Sequence, residues 1–248
     1  DTATSFTPSI IGALNTGSVT FNNATNAYVV SGTGSIDGLG TLTKSGGASV
    51  TLSTANTFTG NVLVNGGKLL LGNAAALGTS SAGAKSVTVT GGGQLDFNNQ
   101  SPTTRTYTFK LAGTGDGTGA LVNTTGGGVA SNAGVLNVEL LDHATIGGSQ
   151  RFDIGYANGT MGTITGNGKT LTKVGANDIG FRGDASGSPI NIVVNGGRIW
   201  AENTDFAYGD TTGSITVNNG GSVGTYATRT IATPVTLNSG GTIHNQGG

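Results

Sequence analysis

Groups able to do acid–base or metal chemistry are sparse in this chain of 248 residues, which carries 12 Asp plus Glu, 2 His and no Cys. Asp142-His143 is the one place where a carboxylate and an imidazole are neighbours. With Arg151 and Asp153 following, it has the residue types for acid–base work on a polysaccharide. Adjacent residues of a strand point to opposite faces, so Asp142 and His143 converge only in a loop, and a solvated loop is the expectation. Glu202, Asp205 and Asp210 fall close enough to ligate calcium or to act as a glycosidase pair, because both chemistries need converging carboxylates. An exposed loop after Ile199-Trp200-Ala201 is the plainer reading. His244 is isolated and no third His exists, so no metal site built on histidines is expected.

Gly166-Asn167-Gly168-Lys169-Thr170 ends as a phosphate-binding loop does, but Thr163 stands where that loop needs glycine. No helical pattern follows to supply an N-terminal dipole, so the stretch reads as a corner before the strand Leu171-Thr172-Lys173. The run Gly32-Thr33-Gly34-Ser35-Ile36-Asp37 is one residue too long for a calcium-binding nonapeptide. The absence of Cys removes disulfides, thiolate zinc and thiol catalysis together. No cofactor and no metal are expected. Trp200 is the most informative single residue. If Ile199 points inward, alternation sends Trp200 outward, and Phe206 and Tyr208 in the next loop would complete an aromatic platform for a sugar ring or a partner protein. The alternative is a loop that folds back and covers Trp200.

The elements that position these residues follow from composition. There are 47 Gly, 40 Thr and 23 Asn, residue types that rarely fill a helical core, so a helix-dominated fold is excluded. Charged residues make up 9%, and 11 Lys plus Arg nearly balance the acids, leaving no field to gather nucleic acid. No stretch approaches the ~20 apolar residues of a membrane helix, so no membrane insertion by this segment is expected.

One phrase recurs along the chain: Val64-Asn65-Gly66-Gly67-Lys68-Leu69, Val194-Asn195-Gly196-Gly197-Arg198-Ile199, Val217-Asn218-Asn219-Gly220-Gly221-Ser222-Val223 and Leu237-Asn238-Ser239-Gly240-Gly241-Thr242-Ile243. A looser copy runs from Val89 to Leu95. Each copy is a short strand, a corner of Asn and Gly suited to positive φ, and another short strand. The spacing of roughly 20–25 residues is a solenoid period. Segments such as Val62-Leu63-Val64, Val87-Thr88-Val89 and Ile215-Thr216-Val217 alternate as half-buried strands do. The reading is all-β, a right-handed single-stranded parallel β-helix and a single domain over residues 1–248. At ~22 residues per rung it has roughly eleven rungs and a length on the order of 50 Å. Sandwich and propeller are set aside, because sandwich hairpins have longer strands and propeller blades need about 40 residues.

Residues 42–78 carry Leu42-Thr43-Lys44-Ser45-Gly46, Val50-Thr51-Leu52, Asn56-Thr57-Phe58-Thr59-Gly60, the Val64 corner and Ala76-Leu77-Gly78 in order. This resembles the passenger-associated repeat of bacterial autotransporters. A degraded second copy, residues 171–209, begins Leu171-Thr172-Lys173-Val174-Gly175 and reaches Val194-Asn195-Gly196-Gly197 without the Asn-x-aromatic-x-Gly corner. The resemblance implies a right-handed β-helix that is extracellular or outer-membrane-attached on a Gram-negative-type cell, as part of a longer surface structure. The expected function is a non-enzymatic structural or adhesive module, with a carbohydrate-active β-helix enzyme as the alternative. Its expected partners are further rungs or other copies stacked end to end, a surface glycan, or a protein of a host or neighbouring cell.

Overall fold

A computed structural model describes residues 6–79, 85–102, 106–126, 134–157 and 159–247. Among them there is no helix; short strands stack in parallel as a β-solenoid of about ten turns. The cause is visible in single strands. In Ser49–Leu52 the residues Val50 and Leu52 are buried while Ser49 and Thr51 face outward, and Asn191–Val194 repeats the pattern. A three- or four-residue strand cannot bury its inward side alone, so each rung closes only against the next.

The stacking is in register. Leu42, Val62, Val87, Phe109 and Val138 lie one above another in a first column, and Val50, Leu69, Leu95, Leu121 and Ile146 in a second. A third column carries Phe152, Ile179, Ile199, Val223 and Ile243. The first four of these third-column residues belong to one dry core with the first two columns. Burying such side chains is worth about 1.5–3 kcal/mol each, which is the force holding rungs together.

Rungs lengthen in the middle of the coil. The register offset is 20 residues from Leu42 to Val62 but 29 from Phe109 to Val138 and 27 from Ala144 to Leu171. That exceeds the expected 20–25 and accounts for about ten turns where a uniform repeat implies eleven. The long rung contains the 12-residue strand Asn137–Gly148, which carries the chain through a bulge past the corner made by earlier rungs. Its C-terminal part carries Leu121 beneath and Thr172–Lys173 above. Beyond it the repeat is displaced around the coil. Ser49–Leu52 of the first copy lies in the large sheet, whereas the equivalent Asp178–Phe181 of the second lies in the separate six-stranded sheet.

At the recurring corners the left-handed backbone is carried by glycine alone. Gly67, Gly197, Gly220 and Gly240 have φ of +60°, +65°, +81° and +80°. A Cβ on Gly67 would sit 2.4 Å from the Gly46 carbonyl, and one on Gly197 2.3 Å from that of Asn177, so neither tolerates a side chain. Gly66, Gly196, Gly221 and Gly241 complete the bends with no positive φ. The expectation that the asparagines share the positive φ is corrected, since Asn65, Asn195, Asn218 and Asn238 do not have it. Three of them instead form a ladder, Asn238 Nδ2 donating to Asn218 Oδ1 and Asn218 Nδ2 to Asn195 Oδ1, both at 2.6 Å.

Candidate functional site

Of three buried lysines among the described residues, Lys44, Lys85 and Lys173, the first and last are held alike. In Thr41–Ser45 and Thr170–Lys173 the alternation that buries Leu42 and Leu171 also buries Lys44 and Lys173, and both are fully inaccessible. Each ammonium is clipped by three carbonyls. Lys44 Nζ donates to Ser45, Gly46 and Gly66 at 2.6, 2.8 and 3.2 Å; Lys173 Nζ donates to Val174, Gly175 and Gly196 at 2.8, 2.8 and 3.0 Å. Two acceptors belong to the lysine's own bend and the third to the bend one rung on, so the charge rivets consecutive corners. Burial lowers both groups to about 8.

The acid–base candidates are dispersed. Leu141-Asp142-His143 is an exposed bulge in the long strand, with one residue opposite three. Asp142 accepts from the His143 amide at 2.8 Å and lies 3.6 Å from Lys169. His143 Nδ1 accepts from the Thr170 amide at 3.0 Å, so that nitrogen is taken by the backbone. Asp205 accepts from the Thr230 amide, Asp210 from the Thr212 amide and hydroxyl, and Glu202 faces the arginines described next. No group of three potential metal ligands occurs among the described residues. Asn167 and Gly168 both have positive φ, so the stretch before Thr170 is a corner leading into a strand. His244 Nδ1 meets Ser222 Oγ at 2.8 Å; burial and Arg198 lower its pKa against the opposing pull of Asp178.

Polar side chains do converge on the outer side of the third column. Its outward positions are Gly134, Asp153, Gly180, Trp200, Gly224 and His244, in register, so glycines alternate with larger groups. The glycines make the room, since a Cβ on Gly180 would lie 2.6 Å from Asp153 Oδ1. Arg151 grips Asp153 with two bonds of 3.0 Å, and Arg182 reaches the same carboxylate at 3.1 Å and Glu202 at 2.9 Å. Burial pushes the Asp153 carboxyl up, opposed by hydrogen bonds and charge from Arg151 and Arg182. Every carboxylate oxygen of Asp153 is occupied, which leaves it no free lone pair aimed at a substrate proton.

The aromatic platform is corrected here. Trp200 does point away from the core, but only 2% of it is exposed: the Arg151 guanidinium lies 4.7 Å from its ring and Nε1 donates to Glu202 at 3.2 Å. Tyr208 is wholly buried, with its hydroxyl on the Gly224 carbonyl and its ring 5.2 Å from Phe181. Phe206 alone of the three is exposed. Lone-strand alternation cannot foresee this cover, because it comes from residues one and two rungs away.

Sequence reasoning missed Arg182 as the second arginine on Asp153 and the two lysine rivets. The signal for the lysines was present, since a strict period of two places Lys44 on the same side as Leu42. Comparison with family models, with curated proteins and with solved structures finds no match. Among the described residues no helix is long and apolar enough to cross a membrane. The class defined by the coordinates is therefore a parallel β-solenoid whose buried charges are committed to holding rungs together.

Proposed function

We propose that the chain is a non-enzymatic structural or adhesive module, an extended rod displayed on the surface of a Gram-negative-type bacterium and joined to further rungs or copies. The observation that carries this is that these buried ionic groups are held by fixed partners within the protein, the lysines by bend carbonyls and Asp153 by arginines. Lys44 and Lys173 rivet corners, and Asp153 is filled by Arg151 and Arg182, the latter also reaching Glu202. The autotransporter-like phrase supports the surface reading, because the residues that carry it are the ones that make corners and rivets.

An enzyme would need converging carboxylates with a free face. Asp142 lies in the exposed bulge while Asp153 is enclosed by two arginines, so the pair named for that alternative has unlike environments. The test displays the chain on a non-adherent bacterium and measures attachment to epithelial, abiotic and bacterial surfaces. In parallel the purified chain is incubated with a polysaccharide panel and reducing ends are counted. Attachment or cell–cell aggregation without turnover is expected. Turnover that disappears in Asp153→Asn or Asp142→Asn would overturn the proposal in favour of the enzyme.

A further inference from the structure

The outer side of the second column, from the corner that opens it to the bend that closes it, is not flat. Two clefts of about 490 and 480 Å³ meet there, sharing Lys68 and Asp116. The first extends to Gly47 and Ser49 and the second to Thr124, Ser149 and Gly175 at the far end of the second column, so together they form a furrow that crosses six successive rungs obliquely. At ~4.8 Å per rung its length is on the order of 24 Å. Glycines at the bends keep its walls low, and Ser49, Lys68 and Gln94 stand in register along its floor.

Three polar atoms are left over in the middle of this furrow. Gln94 is only 1% exposed, and its Nε2 donates to Asp116 Oδ1, Thr118 Oγ1 and Gly119 O at 2.8, 3.0 and 2.7 Å. The carboxylate and the carbonyl among these can only accept, which fixes the amide's orientation. Its Oε1 is then a buried acceptor with no partner. A buried polar atom left unpaired costs about 1–3 kcal/mol, so a donor that reaches it gains correspondingly. Asp116 is similarly half used. Oδ1 takes the bonds from Gln94 and Thr118, while Oδ2 faces the Lys68 ammonium across 3.8 Å, too far for a hydrogen bond but spaced to admit a bridging hydroxyl.

We propose that this furrow binds a neutral glycan chain lying along its length. One sugar hydroxyl bridges Lys68 and Asp116, accepting from the ammonium and donating to Oδ2, and a second donates to Gln94 Oε1. The two charges cancel, which favours an uncharged polyol over an anionic polymer. A glycan also repeats its hydroxyls at a spacing close to that of the rungs, so successive rings meet polar groups from Ser49 at one end of the furrow to Ser149 towards the other. A peptide would need pockets for alternate side chains, which low walls of glycine do not provide.

This assignment rests on the adhesive reading and names its ligand class, and the experiment separates the two. The purified chain is applied to an array of neutral, zwitterionic and anionic oligosaccharides, and the neutral linear series that binds is titrated by calorimetry at increasing length. Affinity is expected to rise with chain length until the furrow is full. Gly92 has open space at its Cβ and no positive φ, so Gly92→Trp fills the furrow without straining the backbone. Gly92→Trp and Lys68→Ala are each expected to weaken binding about tenfold or more with unchanged thermal midpoints, the loss of one charge-assisted bond being of that size. Absence of binding to every neutral oligosaccharide, binding confined to anionic ones, or affinity unchanged in Gly92→Trp would overturn the furrow. Surface attachment that persists in Gly92→Trp removes the furrow and leaves the adhesive reading intact. Wild-type chain that attaches to no surface removes the adhesive reading itself.

Discussion

The two copies of the repeat fold alike where their residues agree and are secured differently where they do not. Both place a lysine inside, and both turn at Asn-Gly-Gly into a strand of the next column. In the first copy Asn56, buried, accepts from the Ile36 amide at 2.9 Å and donates to the Ala76 carbonyl at 2.8 Å, tying three rungs from the inside. In the second copy the position four beyond the strand is Ala185, whose amide bonds Phe206 O as that of Asn56 bonds Ala75 O. The path is kept and the amide side chain is lost. Beside it, on the outside, stands the cluster of Arg151, Asp153, Arg182 and Glu202. Adjacent rungs can be locked by a neutral amide in the core or by ion pairs on the shell, provided each polar group finds its partners.

The sharpest way to break this comparison is Asp153→Ala, which takes from Arg182, at 6% side-chain exposure, one of its two carboxylate partners and from Arg151 its two-bonded one. The expected loss is about 3–5 kcal/mol, read by urea unfolding. Because a solenoid is stabilised between neighbours, hydrogen exchange should rise between residues 152 and 202 and stay low around Val50 and Leu69. Uniform acceleration along the chain would mean the two regions are not separately secured. Asn56→Ala is the mirror experiment. It leaves the Ile36 amide and Ala76 carbonyl unpaired, costs about 2–3 kcal/mol, and should raise exchange in the first copy only.

The lysine rivets, common to both copies, supply a pH test. Below about 8 both folded and unfolded chains hold these protons; between about 8 and the ordinary 10.5 the unfolded chain holds more. Stability contributed by this linkage therefore rises with pH across that window. Denaturation midpoints from pH 7 to 10.5 should show the rise in the wild type and a flatter profile in Lys44→Met/Lys173→Met. A profile unchanged by the double substitution would show that the buried ammoniums are not the titrating groups. The smallest effect is expected for Asn218→Ala, which interrupts an exposed ladder and should cost about 0.5 kcal/mol by thermal denaturation.

Much of the coil was legible from local chemistry. Glycine at Gly67 and Gly197 marks corners because only it enters the left-handed region there at little cost, and alternation in Val62–Val64 or Ser214–Val217 marks the inward side. The candidate sites were less legible. Trp200 was rightly directed outward, yet its cover, Arg151, comes from two rungs before it, and Arg182 meets Asp153 across 29 positions of chain. Gln94 carries no local mark of its role, which depends on Asp116 and Thr118 of the following rung.

The amino-acid order by itself determined the unit: short alternating strands, glycine bends and a dry interior, all set by contacts within a few residues. Only the stacked structure decided which outward groups meet. Lateral neighbours are one rung apart, and the register offset varies from 19 to 31 residues, so a change in any loop alters which side chains share a face.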